Sequence, residues 1–241
     1  MFRLGLYGMG ILNFDRKGKI SGEQSFLREQ LGLLTGGVVL DVGANKGDYS
    51  KAVLDVNREL DVFAFEPHPA TYDRLKCETR SDNVIAINSA VGSENGSMIL
   101  FDYREAPGST HASAYKGVIE SIHGEDSVST RVKVLRLDGF LRENDFECVC
   151  LLKIDTEGHE IEVLRGLGDR IHDGTVRAIQ FEFNEMNVIS KSFFIEFWKI
   201  LADYNLYRLL PNGRLPIPRY SVLYCEIFAY QNIVAIWKGS D

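Results

Sequence analysis

The chain has 241 residues, of which 45% are hydrophobic and 25% charged, and its formal net charge is −7. This length suffices for one large α/β domain with a sizeable core. The acidic balance argues against nucleic acid or an anionic membrane surface as the main partner. No stretch approaches the roughly 20 uninterrupted apolar residues of a membrane span, and the first residues lack the apolar core of a signal peptide. The four cysteines show no metal-ligand spacing, so we expect free thiols and a cytoplasmic location.

Apolar strands alternate with helical segments along most of the chain. The predicted strands are 38–42, 61–65, 83–88, 97–103, 128–137, 149–154, 176–183, 206–210 and 233–237. The predicted helices are 48–57, 69–79, 160–167 and 192–203. Most of these strands are continuous apolar runs, which is typical of a parallel sheet covered on both faces.

The elements are predicted to form a single domain over residues 36–241, preceded by an N-terminal extension over 1–35. A polar segment rich in glycine and serine, at about 104–127, forms an insertion in this domain. A loop of that length without structure is unusual unless it is functional. We therefore expect the insertion to cover the active site.

The first strand leads directly into a glycine loop, Gly43-Ala44-Asn45-Lys46-Gly47, and a helix begins at Asp48. Backbone N–H groups and a helix N-terminus then face the open end of a strand, which suits a nucleotide-like cofactor. Asn45 stands where a dinucleotide-binding loop has its second glycine, so a pyrophosphate is disfavoured. A smaller group such as an amino-acid carboxylate fits better, and Asp41 would accept a hydrogen bond from an ammonium group. An amino acid joined to a nucleoside describes S-adenosylmethionine.

Glu66 ends the second strand, and the prolines that follow it hold it at the sheet edge. A carboxylate there is suited to accept both hydroxyls of a ribose. The segment 88–92, after the third strand, is where an adenine is expected. The predicted cofactor-binding residues are Asp41, Gly43, Ala44, Asn45, Gly47, Tyr49, Ser50, Glu66, Pro67, Ser89, Ala90 and Asp155.

The densest polar cluster, residues 153–160, follows the strand at 149–154. Asp155 is expected at the carboxyl edge of the sheet, where ligands of open α/β sheets bind. His159 is suited to act as a general base, since its unperturbed pKa is about 6.5. Glu182 ends the next strand at the same edge, where it would orient a hydroxyl or bind a metal. The predicted catalytic residues are therefore His159, Asp155 and Glu182; the alternative interpretation of the cluster is a helix start, with Glu160 favoured by the helix dipole.

Five segments together resemble the FkbM family of S-adenosylmethionine-dependent methyltransferases, in the family's order over roughly residues 36–210. They are 40–47, 65–69, 88–92, 137–140 and 153–160, of which the last, Lys-Ile-Asp-Thr-Glu-Gly-His-Glu, is the most specific. The resemblance implies a Rossmann-like class I methyltransferase fold with a mostly parallel seven-stranded sheet and helices on both faces. It implies O-methylation of a hydroxyl on a sugar, glycan or other natural product. It also implies that Asp41, Gly43, Asn45, Gly47 and Glu66 line the cofactor and that Asp155 and His159 lie near the transferred methyl.

The mechanism expected from these residues is direct in-line methyl transfer, with His159 as base and Asp155 or Glu182 orienting it or the acceptor. A divalent metal held by Asp155 and Glu182 is a second option, and no metal ligand is assigned. Two rival functions remain open. One is a cofactor-binding module without transfer activity, and the other is an NAD-dependent oxidoreductase. The acceptor and the oligomeric state stay open; Tyr103, His111, Tyr115 and His123 in or beside the insertion would either contact a glycan or pack the insertion on the core.

Overall fold

The computed structural model describes residues 2–15, 20–80, 83–104, 109 and 112–239, and His111 lies outside them. The strands, in chain order, are β1 (Gly37–Val42), β2 (Leu60–Phe65), β3 (Val84–Ile87), β4 (Ala90–Val91), β5 (Gly96–Tyr103), β6 (Ser127–Leu135), β7 (Val149–Ile154), β8 (Ala178–Phe183), β9 (Tyr204–Leu210), β10 (Gly213–Pro216) and β11 (Gln231–Trp237). The α-helices are α1 (Phe2–Gly8), α2 (Glu23–Leu31), α3 (Asp48–Val56), α4 (Pro69–Glu78), α5 (Leu137–Glu143), α6 (Glu160–Arg165), α7 (Met186–Ser190), α8 (Phe194–Ile200) and α9 (Val222–Cys225).

The main sheet has the strand order β3-β2-β1-β7-β8-β11-β9-β10. The five strands from β3 to β8 are parallel, whereas β11 runs antiparallel to both of its neighbours. The predicted mostly parallel α/β fold is confirmed. The described part of the chain has eight strands in this sheet rather than seven, because the turn at Pro211 and Asn212 folds β10 back onto β9 as a hairpin.

A second, smaller sheet joins β4, β6 and β5. It brings the two ends of the insertion together, because β5 leads into that segment and β6 follows it. The insertion is not without structure, since a single π-helical turn at Val118–Ile122 lies within it. Val118 and Ile119 of this turn are fully buried, so the insertion is anchored by its own apolar side chains.

The N-terminal extension also packs on the domain. Helix α2 buries Phe26, Leu27 and Leu31 in an apolar cluster that includes residues of the central strands. None of the helices in the described ranges has the length and apolarity needed to span a membrane.

Parallel pairing determines where the polar strand ends meet. Val42 of β1 pairs with Phe65 of β2 and with Ile154 of β7, and Ile154 pairs with Phe181 of β8. The residues that follow these four positions therefore emerge at one edge of the sheet. That edge is the floor of a large cavity.

Candidate functional site

The cavity at the carboxyl edge of the sheet has a volume of about 1100 Å³. This volume is slightly above the usual range for small-molecule sites, roughly 300–1000 Å³. Ten of the twelve predicted cofactor-binding residues line it: Asp41, Gly43, Ala44, Asn45, Tyr49, Glu66, Pro67, Ser89, Ala90 and Asp155. The predicted catalytic residues His159 and Glu182 line it as well. Parallel pairing thus brings into one chamber side chains that lie as far apart in sequence as Asp41 and Glu182.

Gly47 and Ser50 are not among the cavity-lining residues. Gly47 has φ +86°, and a Cβ on it would lie 2.3 Å from the Thr79 side chain. Its backbone makes the turn into α3 while fitting closely against α4. Ser50 is fully buried and donates a hydrogen bond to Asp41 Oδ2 at 2.6 Å. Both residues therefore shape the site from behind its surface.

Gly43 is required where β1 and β7 end. Its φ is +82°, and a Cβ on it would lie 1.8 Å from the carbonyl oxygen of Asp155. The Asp155 N–H donates to the carbonyl of Val42 at 2.9 Å, which holds the two chain segments in contact. Only glycine fits there without moving one of the two strands.

Glu66 closes the glycine loop against the end of β2. Its Oε2 accepts a hydrogen bond from the Asn45 N–H at 3.0 Å, and its Oε1 accepts one from the His68 N–H at 2.8 Å. Burial raises the pKa of Glu66 to about 7, although the two N–H donors oppose that shift. Each carboxylate oxygen has two lone pairs, so both can accept a further hydroxyl.

Asp41 lies beneath the loop and is 1% exposed. Burial raises its pKa to about 6, against the lowering effects of the Ser50 hydroxyl and the Lys153 ammonium. A buried carboxylate with one bound hydroxyl is poorly compensated for the water it has lost. It is therefore a favourable place for a cationic group of a ligand.

Lys153 was not predicted as a site residue, yet it lies at the centre of the cavity floor. It is 2% exposed, and its Nζ is 3.3 Å from Asp155 Oδ2 and 5.5 Å from the centroid of the Tyr49 ring. Burial lowers the pKa of Lys153, but nearby carboxylates outweigh it, so the net pKa is above the ordinary value. The available signal was a single lysine in the otherwise apolar run of β7.

Glu182 completes this charged cluster. Burial and the charge of Asp155 raise its pKa well above the ordinary value, and Lys153 opposes them. Its Oε2 accepts a hydrogen bond from Asn184 Nδ2 at 3.2 Å. Within the described residues, no group of three or more His, Cys, Asp or Glu side chains is arranged to hold a metal ion. The Lys153 ammonium group lies beside Asp155, at 3.3 Å from its Oδ2.

The loop between β7 and α6 is held by Glu160, which is 2% exposed. Glu160 Oε1 accepts hydrogen bonds from the Thr156 N–H, the Thr156 hydroxyl and the Gly158 N–H, at 3.2, 3.1 and 3.0 Å. Glu157 and Gly158 have φ of +52° and +104°, so the loop is tightly turned. This supports a structural role for Glu160, the alternative that the sequence left open.

His159 stands just before α6 and faces the cavity. Burial lowers its pKa, so the imidazole is neutral at pH 7 and able to accept a proton. Its Nδ1 makes no hydrogen bond to any described residue. The ring centroid of Tyr115, from the insertion, lies 6.1 Å from that of His159.

The insertion forms one wall of the cavity. Asn45 Nδ2 donates to the Ser109 carbonyl at 3.0 Å, and the Ser113 hydroxyl donates to the Glu157 carbonyl at 2.8 Å. These two bonds tie the insertion to both loops of the site. Among the residues it contributes to the lining is His123, whose ring contacts that of Tyr103 edge-on at 5.7 Å.

Curated proteins of similar sequence are methyltransferases by name. The chain is 30% identical over 149 residues to Methyltransferase 1 of Beauveria bassiana, covering 56% of this chain and 60% of the relative. It is 29% identical over 132 residues to the hexuronic acid methyltransferase AglP of Haloferax volcanii, covering 54% and 49%. It is 30% identical over 169 residues to methyltransferase sdnD of Sordaria araneosa, covering 60% and 65%. The chain thus spans less than two thirds of the length of each relative.

Solved structures are more distant. A human methyltransferase 10 domain-containing protein has a TM-score of 0.49 at 10% identity, covering 94% of this chain and 84% of that one. An S-adenosylmethionine-dependent O-methyltransferase of Thermotoga maritima has a TM-score of 0.44 at 12% identity, covering 91% and 66%. The fold assignment therefore depends on the strand order described above.

The family model described as the methyltransferase FkbM domain matches residues 41–209. That range begins at Asp41, the penultimate residue of β1. It contains every predicted cofactor-binding and catalytic residue. It covers well over half of the chain. The chain belongs to the FkbM methyltransferase family.

Proposed function

We propose that the protein transfers a methyl group from S-adenosylmethionine to a hydroxyl of a sugar, glycan or other small acceptor. The observation that carries the proposal is the convergence of Glu66, Gly43 and Asp155 in one cavity at the carboxyl edge of the sheet. A relative named for hexuronic acid methylation supports a sugar-like acceptor.

The residues present fit this cofactor. Gly43 lets the ends of β1 and β7 lie in contact at the cavity, which brings the glycine loop and Asp155 together, and Asp41 supplies a buried carboxylate for an ammonium group. Glu66 holds both oxygens in place through two N–H donors while retaining lone pairs for ribose hydroxyls. Ser89 and Ala90 would contact the adenine. Burial raises the pKa of the Asp41 and Glu66 carboxylates because it removes water from their charged forms. Hydrogen-bond donors from a ligand would offset this desolvation cost.

S-adenosylmethionine supplies a methyl group that is already activated for transfer. The remaining tasks of the protein are to orient the acceptor hydroxyl and to remove its proton. His159 is suited to take that proton, because its side chain lines the cavity and burial lowers its pKa, which leaves the ring neutral at pH 7. Asp155 and Glu182 are suited to orient the acceptor, and the Lys153 ammonium, 3.3 Å from Asp155 Oδ2, helps to hold Asp155 in place.

A thermal-shift comparison tests the choice of cofactor. A ligand present at 100 times its Kd adds about 2.7 kcal/mol to the free energy of unfolding. We expect S-adenosylhomocysteine to stabilise the protein and NAD to leave it unchanged. Stabilisation by NAD alone would support an oxidoreductase and contradict the proposal.

Transfer itself is tested with radiolabelled methyl donor and a panel of sugar and glycan acceptors. We expect labelled product, and we expect it to persist in the presence of a chelator, because an ammonium group lies beside Asp155. Tight binding of S-adenosylhomocysteine with no transfer to any acceptor would support a binding module. Loss of transfer on chelation would support the metal-assisted alternative.

A further inference from the structure

Part of the cavity wall lies outside the family domain. Among the described lining residues, Phe14, Asp15, Glu23, Gln24, Leu27 and Tyr230 fall outside the matched range of 41–209. The predicted cofactor-binding residues all fall inside it. The part of the wall that the chain ends contribute is therefore available to contact the methyl acceptor.

Two aromatic rings form a corner of this wall. The rings of Phe14 and Tyr230 meet edge-on, with centroids 5.1 Å apart and planes at 83°. The Leu12 N–H donates to the Tyr230 carbonyl at 2.7 Å, so backbone bonding holds the two segments together. Phe14 is 61% exposed and lines the cavity, so a face of its ring is open to a ligand. An open aromatic face beside polar groups is suited to the C–H face of a sugar ring.

Glu23 places a fixed carboxylate beside that corner. Its Oε1 accepts from Gln180 Nε2 at 2.9 Å, and its Oε2 accepts from the Ser21 hydroxyl at 3.0 Å. Gln180 is fully buried and also accepts from the Tyr49 hydroxyl at 2.7 Å. The carboxylate is thus oriented by the protein interior and keeps lone pairs for hydroxyl donors.

One further donor lines the same cavity. The Tyr230 hydroxyl accepts from Asn232 Nδ2 at 2.8 Å, so its own hydrogen is available to donate. The Glu23 carboxylate as acceptor and the Tyr230 hydroxyl as donor together match a ring that carries several hydroxyls.

The net charge of the whole cavity lining disfavours an anionic ligand. Nine of the described lining residues are Asp or Glu, two are Lys and none is Arg. Both lysines already contact carboxylates, Lys46 with Asp48 at 3.2 Å and Lys153 with Asp155 at 3.3 Å. A carboxylate or phosphate on the acceptor would enter a field of like charge, in which both lysines of the described lining already contact a carboxylate.

We infer that Phe14, Tyr230 and Glu23 form the acceptor subsite and that it takes a neutral pyranose rather than a uronate or sugar phosphate. The inference depends on the proposed function for the role of the ligand as acceptor. The class of ligand, a neutral pyranose, is inferred only from the residues that line the cavity.

Ligand-observed NMR tests the class of ligand directly. The probes are methyl glycosides of glucose, galactose and mannose, each beside the matching methyl uronate, with S-adenosylhomocysteine present. At least one neutral glycoside is expected to give saturation transfer at least tenfold stronger than its uronate. Stronger signals from the uronates, or no signal from any neutral glycoside, would overturn the inference.

Variants locate the subsite. Phe14→Ala is expected to weaken glycoside binding about tenfold and Glu23→Gln several-fold, with the affinity for S-adenosylhomocysteine within twofold of wild type. Tyr7→Ala is the matched control, because Tyr7 is 48% exposed in the same N-terminal segment and does not line the cavity. Equal glycoside binding by Phe14→Ala and Tyr7→Ala would overturn the assignment of Phe14.

The two proposals fail in different ways. Stabilisation by S-adenosylhomocysteine together with preferred uronate binding would overturn the subsite and leave the proposed function standing. If a neutral glycoside bound in a Phe14-dependent way while S-adenosylhomocysteine did not stabilise the protein, the subsite would stand and the proposed function would be overturned.

Discussion

The two halves of the cavity are built in different ways. The half assigned to the cofactor consists of strand ends and the loops that leave them, where Gly43 and Asn45 present backbone and Glu66 is fixed by two N–H donors. The half assigned to the acceptor consists of side chains from both chain ends, with the rings of Phe14 and Tyr230 in edge-on contact. The first half follows from sheet topology, and the second does not. A fold can therefore keep its donor site while changing its acceptor by altering the chain ends.

Gly43→Ala is the harshest test of the cofactor half. A methyl group there would lie 1.8 Å from the Asp155 carbonyl oxygen, so β1 and β7 must separate. We expect S-adenosylhomocysteine binding to be abolished in calorimetry and the unfolding free energy to fall by about 3 kcal/mol. Gly5→Ala is the control, since a Cβ there meets nothing within 4 Å. Wild-type affinity in Gly43→Ala would separate the loop from cofactor binding.

His159→Ala tests the chemistry where the two halves meet. Loss of a general base lowers kcat by about 10²–10⁴-fold. We expect that loss under saturating cofactor, with the Kd for S-adenosylhomocysteine unchanged. His172→Ala is the control, because His172 pairs with Asp203 at the surface at 2.7 Å. Unchanged turnover in His159→Ala would remove His159 from the mechanism.

The pH dependence of the steady-state rate separates the two halves without mutation. Burial raises the pKa of Glu66 to about 7, so the carboxylate gains a proton as pH falls through that value. We expect kcat/KM for the cofactor to fall about tenfold per pH unit below 7. Burial lowers the pKa of His159, so kcat should be maintained to below pH 6.5. A parallel decline of both parameters from pH 7 would contradict this separation.

Asp41→Asn tests the buried carboxylate beneath the glycine loop through the pH dependence of stability. Burial raises the pKa of Asp41 from 3.8 to about 6, so the folded protein binds more protons than the unfolded chain between those values. The unfolding free energy of the wild type should therefore fall by about 3 kcal/mol from this group as pH rises from about 4 to 6, then level off. Urea unfolding across that range should show this contribution missing in Asp41→Asn and present in Asp55→Asn, an exposed control on α3. An identical pH slope in wild type and Asp41→Asn would contradict the assignment.

The sequence predicted that Asp41, Glu66 and Asp155 meet in one cavity, because parallel strands end at one edge of the sheet and each of these residues follows an apolar run. It could not predict the contact of Phe14 with Tyr230, since no periodic pattern links residues at opposite ends of the chain. Lys153 was missed because a lysine within a strand has no local signal of a buried carboxylate partner.

The strand count differed for a similar reason. The residues Pro211-Asn212-Gly213 are typical of a turn, but whether the residues after them add a strand to the sheet depends on pairing with β9. The pairing depends on whether β9 offers a free edge in the folded sheet, and the sequence of β10 alone does not show this.

The most direct test of this division of the cavity is a crystal structure with S-adenosylhomocysteine. We predict the ribose hydroxyls on Glu66, the amino-acid end over Gly43 and Asp41, and open space between His159 and the Phe14–Tyr230 corner. Product bound against Phe14 and Tyr230, away from the glycine loop, would contradict it.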